Sequence, residues 1–359
     1  MMRRRAASPS AWERCAEWGS PVGRGPGPAT PSADREMGAG LSAARAIGLL
    51  LGVAADAAFA DARKHGVNSA LRRLAAGAER RLHADDRGRG LAYVGLLAGG
   101  AVTLGVAVER VGRSRPLVQA TATAAATWAV LGATAVTDEG TSIARHLDAG
   151  RLPEARARLA ALWGRPPGQL DGPALARAAV ETVARQASES SVAPLWWGAP
   201  GLLGHRVVTL LDERVGHRTA RFRNFGWAAA RSDDFANFVP SRLTAALTAV
   251  CAPVVGGSGP GAWRTWRRDA VAHPSPNAGQ AEAAFAGALE VRLGGGAAYH
   301  EGAEERPMLG DGRTPDAGDV TRGVELSRVV GIVAAAGSAA AAVALGQLRR
   351  RRGLVLPQG

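Results

Sequence analysis

Lysine is almost missing from this 359-residue chain: of its 44 basic residues all are arginine except Lys64. Because that lysine is followed by His65, no phosphate loop of the form GxxxxGK[ST] is available. A GxSxG nucleophile elbow and an HExxH metal motif are absent too, so neither a hydrolase of that type nor a zincin is written here. Two cysteines, Cys15 and Cys251, stand far apart with no CxxC or Cys/His spacing, which excludes a disulfide framework and a cysteine zinc site. Aromatic residues make up only 5% of a chain that is 47% apolar, so the apolar content is mostly Ala, Gly, Val and Leu.

These residues come in blocks. Residues 91–108, 116–137 and 329–347 approach the ~20 residues that a helix needs to cross ~30 Å of hydrocarbon, and have no charged residue between them. A fourth block, 46–60, contains Asp56, and a fifth, 243–255, is short. The block at 192–204 is broken by Pro194, Pro200 and glycines. The mean hydropathy of −0.04 is what arginine-rich connections and apolar spans give when averaged together. The sequence predicts an all-α, polytopic integral membrane protein with about five transmembrane helices, amphipathic interfacial helices and polar loops. Six full crossings would place both terminal basic segments opposite the basic 61–90 connection, against the charge rule, so 192–204 is the block expected not to cross.

The net charge of +13 raises nucleic acid as a partner, but the arginines collect at span ends (Arg72, Arg73, Arg80 and Arg81; Arg349 to Arg352). Cytoplasmic retention and anionic headgroups account for that placement, and nucleic acid is not expected. Residues 1–40 read as a disordered tail, 41–348 as a single membrane-embedded helical domain and 349–359 as a basic tail. Polar segments occupy 61–90, 138–191, 212–238 and 257–325. Leu71, Leu74, Ala78 and Leu82 recur at helical spacing in the first of these, which predicts an interfacial helix. ERVGRSR between the second and third spans predicts an antiparallel hairpin with Trp128 in its wall.

Chemistry must sit in the polar segments. In WRRDAVAHPSPNAG, Pro274 and Pro276 deny a helix and stiffen a turn from which His273, Ser275 and Asn277 project. Without a lysine loop, phosphate would be met by arginine forks and carboxylate-held magnesium. Asp233 and Asp234, three to four residues before Asn237, place oxygen ligands at one helix end, with Asp212 before them and arginines around; a solvated helix start is the alternative. His273 is read either as a proton carrier or as structural. Glu181, inside AAVETVARQ, is either solvated or an inward ligand. Trp227 is read as packing or an interface anchor.

FGWAAARSDDFANF, WRRDAVAHPSPNAG, AEAAFAGALEVRLGG and ERPMLGDGR, in this order and spacing, resemble the CobD/CbiB family of cobalamin biosynthesis, and the likeness runs from about Arg45 to Arg350. The resemblance implies a multi-pass protein of the cell membrane, an adenosylcobinamide-phosphate synthase that attaches aminopropanol or its phosphate to adenosylcobyric acid with ATP and Mg2+. It implies a corrinoid, membrane lipid and other membrane enzymes of the late cobalamin pathway as partners. Under it, Asp212, Asp233 and Asp234 would hold the metal, and Arg218, Arg221, Arg267, Arg268, Ser275 and Arg313 would bind substrate or phosphate. His273, Asn277, Asp212 and Asp311 would be catalytic. Departures open a second reading. Where the family has GDP then HP, this chain keeps Asp61 and loses the prolines; where it has AEN, this chain has Ala184, Arg185 and Gln186; where it has NTLDS, only Asp212 of the polar set stays in place. An arginine at a metal ligand's position would repel the ion, so a non-catalytic, corrinoid-holding scaffold is the alternative.

Overall fold

The computed structural model describes residues 31–59, 67–112, 115–163, 167–217, 219–295 and 306–352. Thirteen α-helices follow one another among them: α1 Pro31–Ala58, α2 Val67–Leu82, α3 Arg87–Gly112, α4 Pro116–Val130, α5 Ala133–Asp148, α6 Leu152–Trp163, α7 Gly172–Ala187, α8 Ala193–Val215, α9 Trp227–Ala236, α10 Phe238–Cys251, α11 Gly259–Asp269, α12 Ala278–Leu289 and α13 Ala317–Arg352. No strand is present among the described residues, only the isolated bridges Val291 to Arg313 and Leu293 to Leu309. Five segments are long and apolar enough to cross a bilayer: Gly40–Ala58, Arg87–Gly112, Pro116–Asp148, Phe238–Val255 and Ala317–Leu348. The all-α, five-span expectation therefore holds. Residues 1–30 of the expected tail lie outside the described residues, whereas Pro31 to Gly40 already belong to α1.

The spans pack through small residues, as helices in lipid do when no hydrophobic force drives them together. Gly48 and Gly52, one turn apart on α1, press on α4: a Cβ at Gly48 would lie 2.6 Å from the Ala120 carbonyl oxygen, and one at Gly52 2.5 Å from Thr127 Cβ. α4 thus finds its main partner in α1 and α3 in α8, so the expected α3–α4 hairpin exists as a secondary contact. Asp56, the acid in the first span, is buried and accepts hydrogen bonds from the Thr134 amide at 3.1 Å and its hydroxyl at 2.9 Å. It satisfies orphan donors at the start of α5, where the helix dipole favours a negative group.

α8, which covers the block expected not to cross, is absent from the five candidates and bends at Gly198 (φ 62°, ψ −172°), a conformation only glycine takes cheaply. α2 lays Leu71, Ala78 and Leu82 on a second apolar cluster around Tyr93 and Phe225, while Leu74 points out, so the interfacial helix forms with three of its four predicted contacts inward. The largest core surrounds α7, whose residues from Ala174 to Ala184 are all buried except Arg177. α13 contacts α5 and α7 as well as α1. At ~1.5 Å per residue its 36 residues exceed the ~30 Å hydrocarbon layer, and the first part carries Asp319, Arg322, Glu325 and Arg328.

Candidate functional site

A cavity of about 780 Å3 opens where α7, α8, α9 and α12 converge. α7 supplies Glu181 and Arg185, and the π-helical turn Ser188–Val192 that follows it supplies Glu189. Asp212 and Glu213 come from α8, Asp233 and Asp234 from α9, Glu282 from α12, and His273, Ser275 and Asn277 from the proline turn. Arg72 and Arg306 complete the charged lining. Seven carboxylates thus face three arginines.

Four of these carboxylates, Glu181, Glu189, Asp212 and Asp233, resist ionisation. Burial pushes Asp212 up to about 7, helped by Asp233, Asp234 and Glu213, and pushes Asp233 up to about 6 even though Thr209 and Asn237 bond its oxygen at 3.1 and 3.0 Å. Glu181 is raised to about 7 by burial and then by Glu282, against the Gly294 amide that it accepts at 2.8 Å. Burial likewise raises Glu189 to about 7 despite Arg185 beside it. Negative charge in excess of its local partners, held away from water, is the common cause.

Arg185 stands in this cluster as an internal cation. Burial alone would weaken its charge, but Glu189 first, then Glu282, Glu213 and Glu181 outweigh that and hold its pKa above the ordinary value. Arg185, expected to repel a metal at this position, has carboxylates around its guanidinium on several sides. Thr209, where the family reads Asn, keeps a donor on Asp233.

The proline turn is tied to the acids. Asn277 Nδ2 donates to the Asp234 carbonyl at 2.8 Å while its Oδ1 accepts from Ser241 at 3.3 Å, and the Ser275 hydroxyl oxygen accepts from the Ala278 amide at 3.2 Å at the start of α12. Both side chains line the cavity, yet these bonds hold the turn in place. His205 Nε2 donates to Asn237 Oδ1 at 3.0 Å, and burial lowers the pKa of this ring.

Other predicted site residues lie elsewhere. Arg268 is bound by Asp269 at 2.6 and 2.9 Å and by Asp311 at 2.5 Å, and Asp269 accepts the Gly310 amide at 2.7 Å, so this set clasps the GDGR loop to α11. Arg313 pairs with Asp316 at 3.0 Å and with the fully buried Asp319 at 2.7 Å. Arg221 pairs with Glu79 at 3.1 Å, and Arg267 is exposed on a shallow groove beside Trp263. Arg221, Arg267, Arg268, Asp311 and Arg313 do not line the cavity, and all but Arg267 pair with charges of the chain itself. Arg218, Asp61 and His65 lie outside the described residues. Trp227 is 41% exposed with Arg87 over its ring at 5.5 Å, as an anchor would be.

Sequence reasoning left Glu181 undecided and missed Glu189, Glu213 and Glu282. One signal was there: Glu181, Arg185 and Glu189 repeat at intervals of four, which puts three charges along one side of a helix. As for the metal, Asp212, Asp233 and Asp234 share the cavity, and the raised proton affinity of Asp212 and Asp233 marks hard oxygen donors short of positive charge. No three His, Cys, Asp or Glu side chains are drawn together tightly enough to form a ready metal cluster among the described residues.

Comparison with known sequences gives the class and then the family. Relatives described as cobalamin biosynthesis protein CobD include one from Mycobacterium tuberculosis H37Rv, 49% identical over 311 residues that cover 85% of this chain and 97% of the relative. One from Mycobacterium bovis is 48% identical over 319 residues, 88% of this chain and all of the relative, and one from Rhodobacter capsulatus is 41% identical over 221 residues, 58% and 69%. No solved structure matches. An all-α membrane protein with an acidic cavity between its polar segments is the class. The family model described as CobD/Cbib protein matches residues 49–327, and the chain belongs to that family.

Proposed function

We propose that this chain acts in cobalamin biosynthesis as an amide-forming ligase, joining aminopropanol or its phosphate to a propionate of adenosylcobyric acid with ATP and Mg2+. The observation that carries the reading is one cavity in which the four motifs meet, through the Asp233–Asp234 pair, the His273 turn, Glu282 and Arg306, with Asp212 beside them. Amide formation needs a carboxylate made electrophilic, an amine brought to it and a proton removed as the carbon–nitrogen bond forms.

The lining suits each need. An alkylammonium is drawn in by the excess of carboxylates, and a group titrating near 7, such as Glu189, can take its proton so that the free amine attacks. Arg185, Arg72 and Arg306 offer guanidiniums to anionic groups that the acids would otherwise repel. Asp212, Asp233 and Asp234 would hold the magnesium, which supplies charge neutralisation of the nucleotide phosphates when bound. Membrane lipid surrounds the spans, and the propionate arm enters the cavity from its polar opening.

The test is complementation. Expressed in a bacterium lacking its own synthase and fed cobyric acid, this chain restores cobalamin-dependent growth, and Asp233→Asn does not. No rescue by a membrane-inserted wild-type chain, with rescue by Arg185→Glu plus Thr209→Asn, would instead establish the scaffold reading.

A further inference from the structure

A second concavity lies against the third helix rather than among the acids. This groove of about 430 Å3 runs between α3, α8 and α9, and its walls are almost wholly apolar: Leu91 and Val102 from α3, Trp197 and Val208 from α8, Trp227 and Phe235 from α9. α3 is a candidate span that begins at Arg87, so the groove starts at the membrane edge and follows the span inward. Leu91 and Val102 are eleven residues apart, about 16 Å of helix at ~1.5 Å per residue and so about half of the ~30 Å hydrocarbon layer. The groove is one leaflet deep. Leu91 and Phe235, 61% and 77% exposed, leave its rim open. Its mouth is cationic: Arg231 and Ser232 line it, and Arg87, one turn before Leu91, lies over the Trp227 ring at 5.5 Å. Arg87 makes no ion pair among the described residues, and Arg231 reaches Asp234 only at 3.7 Å with 69% of its side chain exposed.

We propose that this groove holds one anionic phospholipid of the adjoining leaflet, with its acyl chain along Leu91 to Val102 and its phosphate between Arg87 and Arg231. An apolar trough of one leaflet's depth, capped by two guanidiniums and an indole at headgroup level, matches that molecule at both ends. A soluble anion would leave the apolar walls uncovered, and a zwitterionic headgroup would bring its own cation to the arginines. The groove is also tied to the acidic cavity behind it. Trp197 donates its indole N–H to the Ala236 carbonyl at 3.1 Å, and His205, in the groove wall, bonds Asn237 Oδ1 at 3.0 Å, whose amide donates to Asp233 at 3.0 Å. On α9, Trp227, Arg231 and Phe235 recur at intervals of four toward the groove, while Asp233 turns into the cavity. A lipid seated in the groove therefore braces the helix that carries Asp233 and Asp234. The inference stands on the groove itself and requires no particular reaction in the cavity.

The test uses full-length protein in detergent micelles, freed of lipid and titrated with phosphatidylglycerol or phosphatidylcholine under native mass spectrometry. Phosphatidylglycerol should be retained, one per chain, at concentrations where phosphatidylcholine is not; equal retention of the two overturns the anionic assignment. Arg87→Gln and Arg231→Gln should each weaken phosphatidylglycerol about fivefold. Leu91→Trp, which fills the groove from its exposed rim, should abolish retention while helix content and melting temperature stay those of the wild type. Undiminished binding in the folded double arginine variant, or in folded Leu91→Trp, overturns the site. Hydrogen exchange reads the bracing: amides of α9 should slow when phosphatidylglycerol is added to the wild type, and unchanged exchange with lipid bound overturns that role. Two rival occupants have their own signatures. Displacement of the lipid by sn-glycerol 3-phosphate, the headgroup without its chains, at matched concentration would assign the arginines to a soluble phosphate. With Cys15→Ser and Cys251→Ser in place, a disulfide-linked dimer through Phe235→Cys that excludes phosphatidylglycerol would give the groove to a second copy.

Discussion

Two clusters that share the carboxyl-terminal polar segment carry the same residue types to opposite ends. In one, Arg268 with Asp269 and Asp311, and Arg313 with Asp316 and Asp319, every carboxylate lies on an arginine at 2.5 to 3.0 Å. In the other, which gathers residues of α7, α8, α9 and α12 around the His273 turn, Asp212 and Asp233 are buried beside further acids and pushed up to about 7 and 6. The arginines of the first are engaged by the chain itself, and the acids of the second are short of cations. A sequence shows both as dense polar motifs; the balance of charge in space separates a clasp from a site.

The largest effect expected is on the clasp. Arg313→Ala leaves Asp319, with no exposed surface, the Asp316 amide at 3.0 Å and, as its cation, only Arg322 at the longer distance of 3.4 Å, and thermal unfolding in detergent should show a loss of about 3 kcal/mol. Cavity substitutions reverse the pattern: Asp233→Asn should lower amide formation on the order of a hundredfold while leaving unfolding unchanged or slightly delayed, since it removes a carboxylate that burial already disfavours.

The pH responses of the clusters differ in sign. Glu181, Glu189, Asp212 and Asp233 are raised in the folded protein to about 7, 7, 7 and 6. Between their ordinary range near 4 and these values the folded state binds more protons than the unfolded one, so stability falls as pH rises through that window. Asp269 behaves oppositely: Arg268 above all holds it below the usual carboxylate range, and its contribution is lost only as pH falls below about 4. Melting temperature measured from pH 5 to 8 should therefore drop by a few degrees, and added Mg2+ should offset the drop at pH 8 more than at pH 5. A flat profile would mean that the cavity acids titrate normally.

The smallest effect concerns access. α10 is apolar enough to cross, yet the segments on both its flanks line the cavity and meet through Asn277 and the Asp234 carbonyl. With Cys15 and Cys251 replaced by serine, His217→Cys and Ser275→Cys should react with an impermeant maleimide from the same side of the membrane. Labelling from opposite sides would break the cavity apart.

Much of the fold was legible because lipid imposes a simple rule on the sequence: five apolar lengths appear as five candidate spans, and Gly198 with Pro200 announced a break. The candidate site was legible where a motif is local, as at Asp233, Asp234 and His273, which line the cavity. It was illegible where function depends on partners distant in sequence. Glu282 looks like one polar residue in an alanine helix until His273 is placed beside it, and Arg185 looks like a disruptive charge until Glu189 and Glu282 are counted around it. Conversely, Arg268 and Arg313 were singled out through the family likeness, and both are bonded by carboxylates of the chain itself.

The most direct measurement is amide formation by purified protein, read as the mass of the corrinoid product, in Asp233→Asn and Arg268→Gln at equal amounts of folded enzyme. If the cavity is the site, Arg268→Gln keeps most of the wild-type rate and Asp233→Asn loses it. Full activity in Asp233→Asn with loss in Arg268→Gln would move the chemistry out of the cavity and contradict the account.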